Sequence, residues 1–515
     1  MISCLWLERP GKVRWLGALG LLMLAALPVV PLCWQAIAEM KSLSPGWTFG
    51  RSLLNSATVA VLVSGLAFLG GLPAGALAAL YDFPGRRLFL TLAALPLLVP
   101  SFLWAIGWSA FAAHFGPWAT YLISGHTGCV LVFFSSAFAL VMFATFSSAQ
   151  SLTSSQIEAA RLAGGEKTVV RYVIRHAAVL ALLAATLAGI MTLSDPGPGQ
   201  ILLLRTAASE VLTSFAAQYD FALAGRQCVF LAAVVLLLSL PLAFVAAPRL
   251  AAEILARQTR SFQRVRPALF VRWLSIGWPL FLALFFLAPI IGLLIPILGG
   301  LELERAQREL VRTGVNTLLY SFGAGMIAVV LGFLLAGLVG NDQRLRVVTL
   351  GICLTLFSLP PTLSSLGIIQ ASTAAPAWTD LVLRSRFVVC LALGLRFLPV
   401  AVLLGMRAWG SMSPSWVQAG AIHGVSLTRY LYAVMIPWFL PTAALAVVLV
   451  ALLALGEVGV VLLLYPPGES SLPLTIFTIM ANAPETLVAS LCLVYLTAAT
   501  ALLFLLWSLG RRQDT

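Results

Sequence analysis

Apolar residues in this chain come in long unbroken runs separated by short polar interruptions, not in stripes along helices or in alternation along strands. A helix needs about 20 consecutive apolar residues to cross about 30 Å of hydrocarbon with every backbone group satisfied internally. Runs of that kind lie near 15–36, 56–80, 88–111, 127–149, 177–194, 228–247, 273–298, 317–340, 347–371, 387–409, 439–465 and 486–509. The fifth is short, and the ninth carries the Pro360-Pro361 pair. The stretches 196–227 and 466–484 are too polar to span and read as loops.

Composition agrees with the pattern. Of 515 residues, 61% are hydrophobic and 10% charged, against about 25% charged in a soluble domain. A mean hydropathy of +1.01 exceeds what one soluble core can hide, since cores stop growing at roughly 250–300 residues. Disorder is excluded by the same apolar content. Outer-membrane barrels, whose strands alternate, do not carry such runs. The fold class is an all-α integral membrane protein with about 12 transmembrane helices.

The net charge of +13 then speaks to topology and not to nucleic acid. With the N-terminus placed in the cytoplasm, 21 of the 31 Lys and Arg fall on the inner side and 9 on the outer, with Arg396 inside a span. The largest inner cluster is Arg249, Arg257, Arg260, Arg264, Arg266 and Arg272. A positive excess of this kind places both termini in the cytoplasm. The first run, preceded by Arg9, Lys12 and Arg14, is too long for a typical cleaved signal peptide and reads as an anchor. Seven scattered cysteines (Cys4, Cys33, Cys129, Cys228, Cys353, Cys390, Cys492) and four histidines (His114, His126, His176, His423) show no metal-ligand spacing.

The chain also repeats itself. Arg51-Ser-Leu-Leu-Asn55 aligns with Arg312-Thr-Gly-Val-Asn316, and the same offset carries Pro100 to Pro361 and Asp195 to within two residues of Glu457. The expected organisation is a first six-helix half at 1–247, a basic cytoplasmic linker at 248–272 and a second half at 273–515. An even number of spans per half gives the copies one orientation, related by an axis along the membrane normal. Such a pair of halves suits a partner that is itself a twofold dimer.

One polar interruption per half has internal structure. Residues 154–177 contain Glu158-Ala159-Ala160, Gly164 and Ile174; residues 413–437 contain Gln418-Ala419-Gly420, Gly424, Val434 and Ile436-Pro437. Each reads as a short Ser-capped helix that ends at a glycine before the chain re-enters the membrane. The small residues allow close helix approach, and the glycine allows a left-handed turn.

This spacing resembles the EAA loop of ABC-importer permeases: E-A-A, three residues, G, nine residues, then I-x-L-P. The first copy departs from it by Ala177 in place of the proline, the second by Gln418 and Gly420 in place of the acid and the second alanine. The resemblance extends over nearly the whole chain and implies a type I ABC-importer permease with two EAA loops fused in one polypeptide. Glu158, Ala159, Ala160, Gly164, Gln418, Ala419, Gly420, Gly424 and Pro437 would then form coupling loops for a homodimeric ATPase on the cytoplasmic side. A periplasmic or extracellular binding protein would deliver the substrate across a bacterial inner membrane. Similarity of Leu193-Ser194-Asp195-Pro-Gly, Leu395-Arg396-Phe397-Leu398-Pro399 and the Glu457 segment to iron-type members points to ferric iron as substrate; thiamine, phosphonate and polyamine are the alternatives. The chain itself carries no phosphate-binding loop, because Gly164-Gly165-Glu166-Lys167-Thr168 sets Glu166 between glycine and lysine. It is therefore expected to be a transport subunit without catalytic residues or bound cofactor, with ATP and magnesium used by its partner. A twelve-helix secondary carrier and a polytopic membrane enzyme are the competing classes; intramembrane carboxylates for ion coupling are scarce, and no catalytic cluster assembles.

Ionisable residues within spans are costly and usually face a cavity or a partner. Asp195, at the end of the fifth run, and Glu457, inside the eleventh, either form a negative ring near the outer mouth of a translocation path or cap helix ends. Arg396 has serines, Ser135 and Ser136, at the equivalent place in the first half. It either pairs with a carboxylate or a carbonyl, or meets an anionic ligand.

Overall fold

The computed structural model describes residues 12–32, 34, 45–255, 269–300, 302–374, 382, 384–480 and 482–514. Arg9, Cys4, Cys33 and 256–268 of the basic linker lie outside the described residues. All regular elements among those described are helical. The first set is α1 (Lys12–Ala26), α2 (Trp47–Leu80), α3 (Arg86–Leu98), α4 (Ser101–His114), α5 (Pro117–Ile123), α6 (His126–Gln150), α7 (Ser154–Leu193), α8 (Gly197–Ile201), α9 (Ala207–Ala216) and α10 (Phe221–Leu255). The second is α11 (Leu269–Leu294), α12 (Leu303–Val339), α13 (Gln343–Ser358), α14 (Pro361–Ala374), α15 (Arg386–Ser411), α16 (Pro414–Ile422), α17 (Leu427–Tyr430), α18 (Ile436–Leu455), α19 (Val458–Leu464), α20 (Leu472–Ile479) and α21 (Glu485–Asp514). Ten helical stretches among the described residues are long and apolar enough to cross a membrane, and two bent pairs raise the number to as many as 12. The chain is a multi-pass, all-helical membrane protein.

Three expected spans take a different form. The third and ninth runs are not straight helices: α3 and α4 meet at 102°, α13 and α14 at 85°. Both bends fall where Val99 and Leu359 are extended, each just ahead of a proline. Proline disfavours the helical conformation in the residue before it and has no N–H to continue the ladder. The eleventh run, expected over 439–465, stops at Leu455 and restarts as α19. The short fifth run is the apolar end of the much longer α7, whose polar stretch is also helical apart from a kink at Gly164 and Gly165.

Small residues let the helices approach. In α2, Gly71 lies against the Val141 side chain and Met142 backbone of α6, and Gly75 against the Met142 carbonyl and Thr145. In the second half Gly332 of α12 meets Ala401 of α15, and Gly405 meets Ala336. Glycine or alanine at four-residue spacing is how membrane helices gain close van der Waals contact when lipid offers no hydrophobic drive.

The first helix of each set packs on the other set. Arg14 of α1 donates from Nε to the Leu338 carbonyl at 2.8 Å and from Nη2 to that of Gly337 at 3.1 Å, while Trp15 Nε1 donates to Asp342 Oδ2 at 3.1 Å. Reciprocally, α11 lies on α3 and α4. Trp278 stacks on Phe138, and Phe285 and Phe286 meet Trp108 and Trp104. Gly292 of α11 touches the backbone of Gly107 and Phe111, and Gly107 touches Pro289. The two sets are therefore laced together by exchange.

Gly292→Val is expected to lower stability by about 1–3 kcal/mol, since overpacking displaces the facing backbone. Gly277→Val, on the same helix with open space around it, should be neutral. Thermal unfolding in detergent measures both, and equal effects would refute the close approach.

Candidate functional site

Two regions hold the residues singled out by sequence. One is a protein surface built from the paired polar interruptions. Thr153 opens α7 with a capping box, its hydroxyl accepting from the Gln156 N–H while the Gln156 side chain accepts from the Thr153 N–H. The expected Ser154 cap is thus displaced by one residue. In the other loop Ser413 stands at the N-cap of α16 without a side-chain cap.

The glycines also divide their roles differently than expected. In the second loop Gly424 takes the left-handed turn at φ +65°, closed by the Val425 N–H donating to the Gly420 carbonyl at 2.9 Å. In the first, Gly164 is extended and Gly165 carries the positive φ, with φ 68° and ψ −161°. That region is open essentially to glycine alone. The Gly-Gly pair, not Gly164 by itself, makes the corner.

Both short helices are anchored on one side and bare on the other. Ile157 and Val417 are buried, at 3% and 5% exposure, whereas Leu162 and Ile422 stand out at 90% and 83%. Glu158 and Ala159 are exposed with Ala160 half-buried, and Gln418, Ala419 and Gly420 repeat that order. Four residues after each Glu158/Gln418 position an aliphatic side chain projects from the protein, a match the spacing of the motif did not announce.

Each loop is tied to the bundle by its own contacts. In the first, Tyr81 Oη donates to Glu166 Oε1 at 2.8 Å, and Arg161 lies 3.5 Å from the same carboxylate. Burial and the Glu166 charge push the Tyr81 phenol pKa up from its ordinary value. In the second, Trp416 packs edge-on against Trp438, whose Nε1 donates to Ser411. A five-residue π-helix at Leu431–Met435 precedes Pro437 there, while α7 runs unbroken past Ala177. Neither tether was legible in sequence.

The other region is a cavity of about 640 Å³ between the two sets of helices. Asp195, Arg396 and Glu457 all line it. Asp195 sits just beyond α7; its Oδ1 accepts the Gly197 N–H at 2.9 Å and its Oδ2 the Ser101 hydroxyl at 2.6 Å. Glu457 does not lie within a span but in the break after α18, where its Oε1 accepts the Gly459 N–H at 3.1 Å. Glu457 is the N-cap of α19 and holds its second amide, whereas Asp195 stands one residue ahead of the α8 N-cap, Pro196, and holds the first amide of that helix. Glu457 thus caps a helix, Asp195 bonds to a loop-to-helix backbone amide, and both also border the cavity.

Arg396, from α15, donates through Nη1 to the Phe357 carbonyl at 2.9 Å and to that of Leu359, and lies over the Phe357 ring at 5.6 Å. It thus closes the carbonyl end of α13 at the bend. No ion pair joins it to either acid among the described residues. Sequence reasoning missed Ser101 and the cross-half pair of Phe102 and Phe477, whose centroids are 5.6 Å apart. The hydroxyl directly after the Pro100 break is the signal that would have found the first. Among the described residues, no group of three or more His, Cys, Asp or Glu is placed to hold a metal ion.

No protein-family model, curated protein or solved structure matches this chain. Loop and cavity must therefore be read on their own chemistry.

Arg396→Met should cost about 2–4 kcal/mol by stranding buried carbonyls at the bend. Ser136→Ala should be neutral within about 0.5 kcal/mol, because that hydroxyl bonds only to its own helix at Phe133. Calorimetric or fluorescence-monitored unfolding distinguishes them, and a harmless Arg396→Met would remove its role at the bend.

Proposed function

We propose that this chain is the membrane-spanning permease of an ATP-driven ABC importer, with both coupling loops fused into one polypeptide. The observation that carries the reading is the matched pair of short helices, 154–163 and Pro414–Ile422, each anchored by one buried aliphatic residue and exposing another. Solitary large apolar side chains on a surface need no explanation, but two at corresponding places in a repeated element mark a contact made twice. A homodimeric ATPase supplies that twofold partner, and each subunit takes one helix in a groove.

The mechanism follows from the connections. When the ATPase closes, it moves the two short helices together. Movement of the first reaches α2 through Tyr81 and α7 through the Gly164-Gly165 corner; movement of the second reaches α15 and α18 through the tryptophan pair. Of these, α7, α15 and α18 line the cavity and α2 packs on α7; on this reading the cavity then opens alternately to either side. Excess Lys and Arg on the loop face set it in the cytoplasm of a bacterial inner membrane, with both termini on that side. On this reading a binding protein delivers substrate at the opposite surface. The resemblance, with ferric iron, thiamine, phosphonate and polyamine among its members' substrates, does not by itself fix the solute.

Leu162→Asp and Ile422→Asp test this directly. Both side chains are almost fully exposed, so each change should leave folding intact, as unaltered thermal unfolding would show. Each should weaken ATPase association by about 2 kcal/mol or more, as expected of a central interface anchor, and abolish coupled uptake. Co-purification with a co-expressed ABC ATPase from the same organism, compared by quantitative pull-down, gives the readout. Undiminished association in the double variant would overturn the proposal.

A further inference from the structure

The cavity is mostly apolar, yet three charged side chains reach it and are not spent on one another. Asp195 and Glu457 are held by backbone amides and, for Asp195, by Ser101. Arg396 uses Nη1 on two carbonyls, and its Nε is shut away without an acceptor. Nη2 makes no hydrogen bond among the described residues, and Arg396 is one of the side chains that line the cavity. It shares that cavity with both acids without an ion pair to either among the described residues. The site therefore keeps a positive edge and two negative groups apart in an apolar chamber, where unmatched charge is expensive.

The pseudo-twofold arrangement sharpens this. The acids occur in both halves, each accepting the amide two residues on, but the guanidinium occurs once: the related place in the first half holds Ser135 and Ser136, of which Ser136 lines the cavity. A symmetric chamber with one added charge has a preferred direction for an asymmetric solute. The walls near the charges are aromatic: Phe102, Phe357, Phe397 and Phe477. A bare metal ion finds too few ligands here, and a simple anion meets one cation against two carboxylates. The volume falls within the about 300–1,000 Å³ usual for small-molecule sites.

Resting on the permease reading, we infer that the translocated solute is a small zwitterion with an apolar body, its ammonium directed to Asp195 and Glu457 and its carboxylate to Arg396. The aromatic walls take the apolar body and add attraction for the cationic end.

The test uses the full chain purified in lipid nanodiscs, with L-phenylalanine and L-leucine as zwitterionic probes. Phenylalanine amide tests a cation, N-acetylphenylalanine an anion, and ferric citrate a metal chelate. Binding is read by thermal shift and by quenching of intrinsic tryptophan. At least one zwitterion should bind about tenfold or more tightly than either singly charged analogue, since each analogue leaves one fixed charge unmatched. Glu457→Gln keeps an oxygen acceptor for the Gly459 amide and should shift preference toward N-acetylphenylalanine. Arg396→Lys should retain folding but lose zwitterion selectivity, because a lysine lacks the fork that serves carbonyl and ligand together. Tightest binding of the amide, of the anion or of ferric citrate overturns the inference, as does failure of both amino acids to bind. No ATPase is present in this experiment, so its failure leaves the coupling proposal standing, while failure of the coupling proposal, undiminished ATPase association in the Leu162 and Ile422 variants, leaves the solute binding measured here unchanged.

Discussion

A helix in hydrocarbon must satisfy its own backbone, and this protein breaks that rule near its centre. Helices stop at Leu98, Leu193, Ser358 and Leu455, and each stop leaves groups that lipid will not solvate. The chain answers with fixed polar side chains: Asp195 and Glu457 for amides, Arg396 for carbonyls, Ser101 to steady Asp195. Those same residues supply the charge of the cavity. Polarity there follows from broken helices first, and any affinity for a solute is built on side chains already needed for folding.

Lacing of the two sets by their first helices limits how they can separate. α1 is bonded to the end of α12 and α11 is packed on α3 and α4, so separating the sets would break both contacts. Close contacts at Gly71 and Gly75 join α2 to α6, and those at Gly332 and Gly405 join α12 to α15, the close packing that the proposed transmission from loop to interior would need.

Much of the architecture was legible because hydrophobic length and internal offset are strong signals. The 261-residue offset that aligns Arg51 with Arg312 also aligns Gly71 with Gly332, and it reflects packing that needs a small residue at both places. What failed were breaks inside apolar sequence. Glu457 looked like an intramembrane acid because Val458–Leu464 is as apolar as the helix before it; hydropathy cannot register a change of direction. Gly165 was overlooked because a spacing pattern names Gly164, whereas the turn is decided by which glycine carries positive φ. The exchange of α1 and α11 left no sequence trace, since an apolar helix carries no address beyond shape. Among the sites, the three charged residues were found as costly exceptions in an apolar chain, but their convergence on one cavity came only from the fold.

The account stands on the short helices at 154–163 and Pro414–Ile422 facing the same aqueous compartment as the ATPase. Single cysteines at Leu162 and Ile422, in a background where Cys4 and Cys33 are replaced and the buried cysteines kept, can be labelled with a membrane-impermeant maleimide in inverted and right-side-out vesicles. The account predicts labelling of both positions in inverted vesicles alone. Labelling of either from the outside, or of the two from opposite sides, would contradict it.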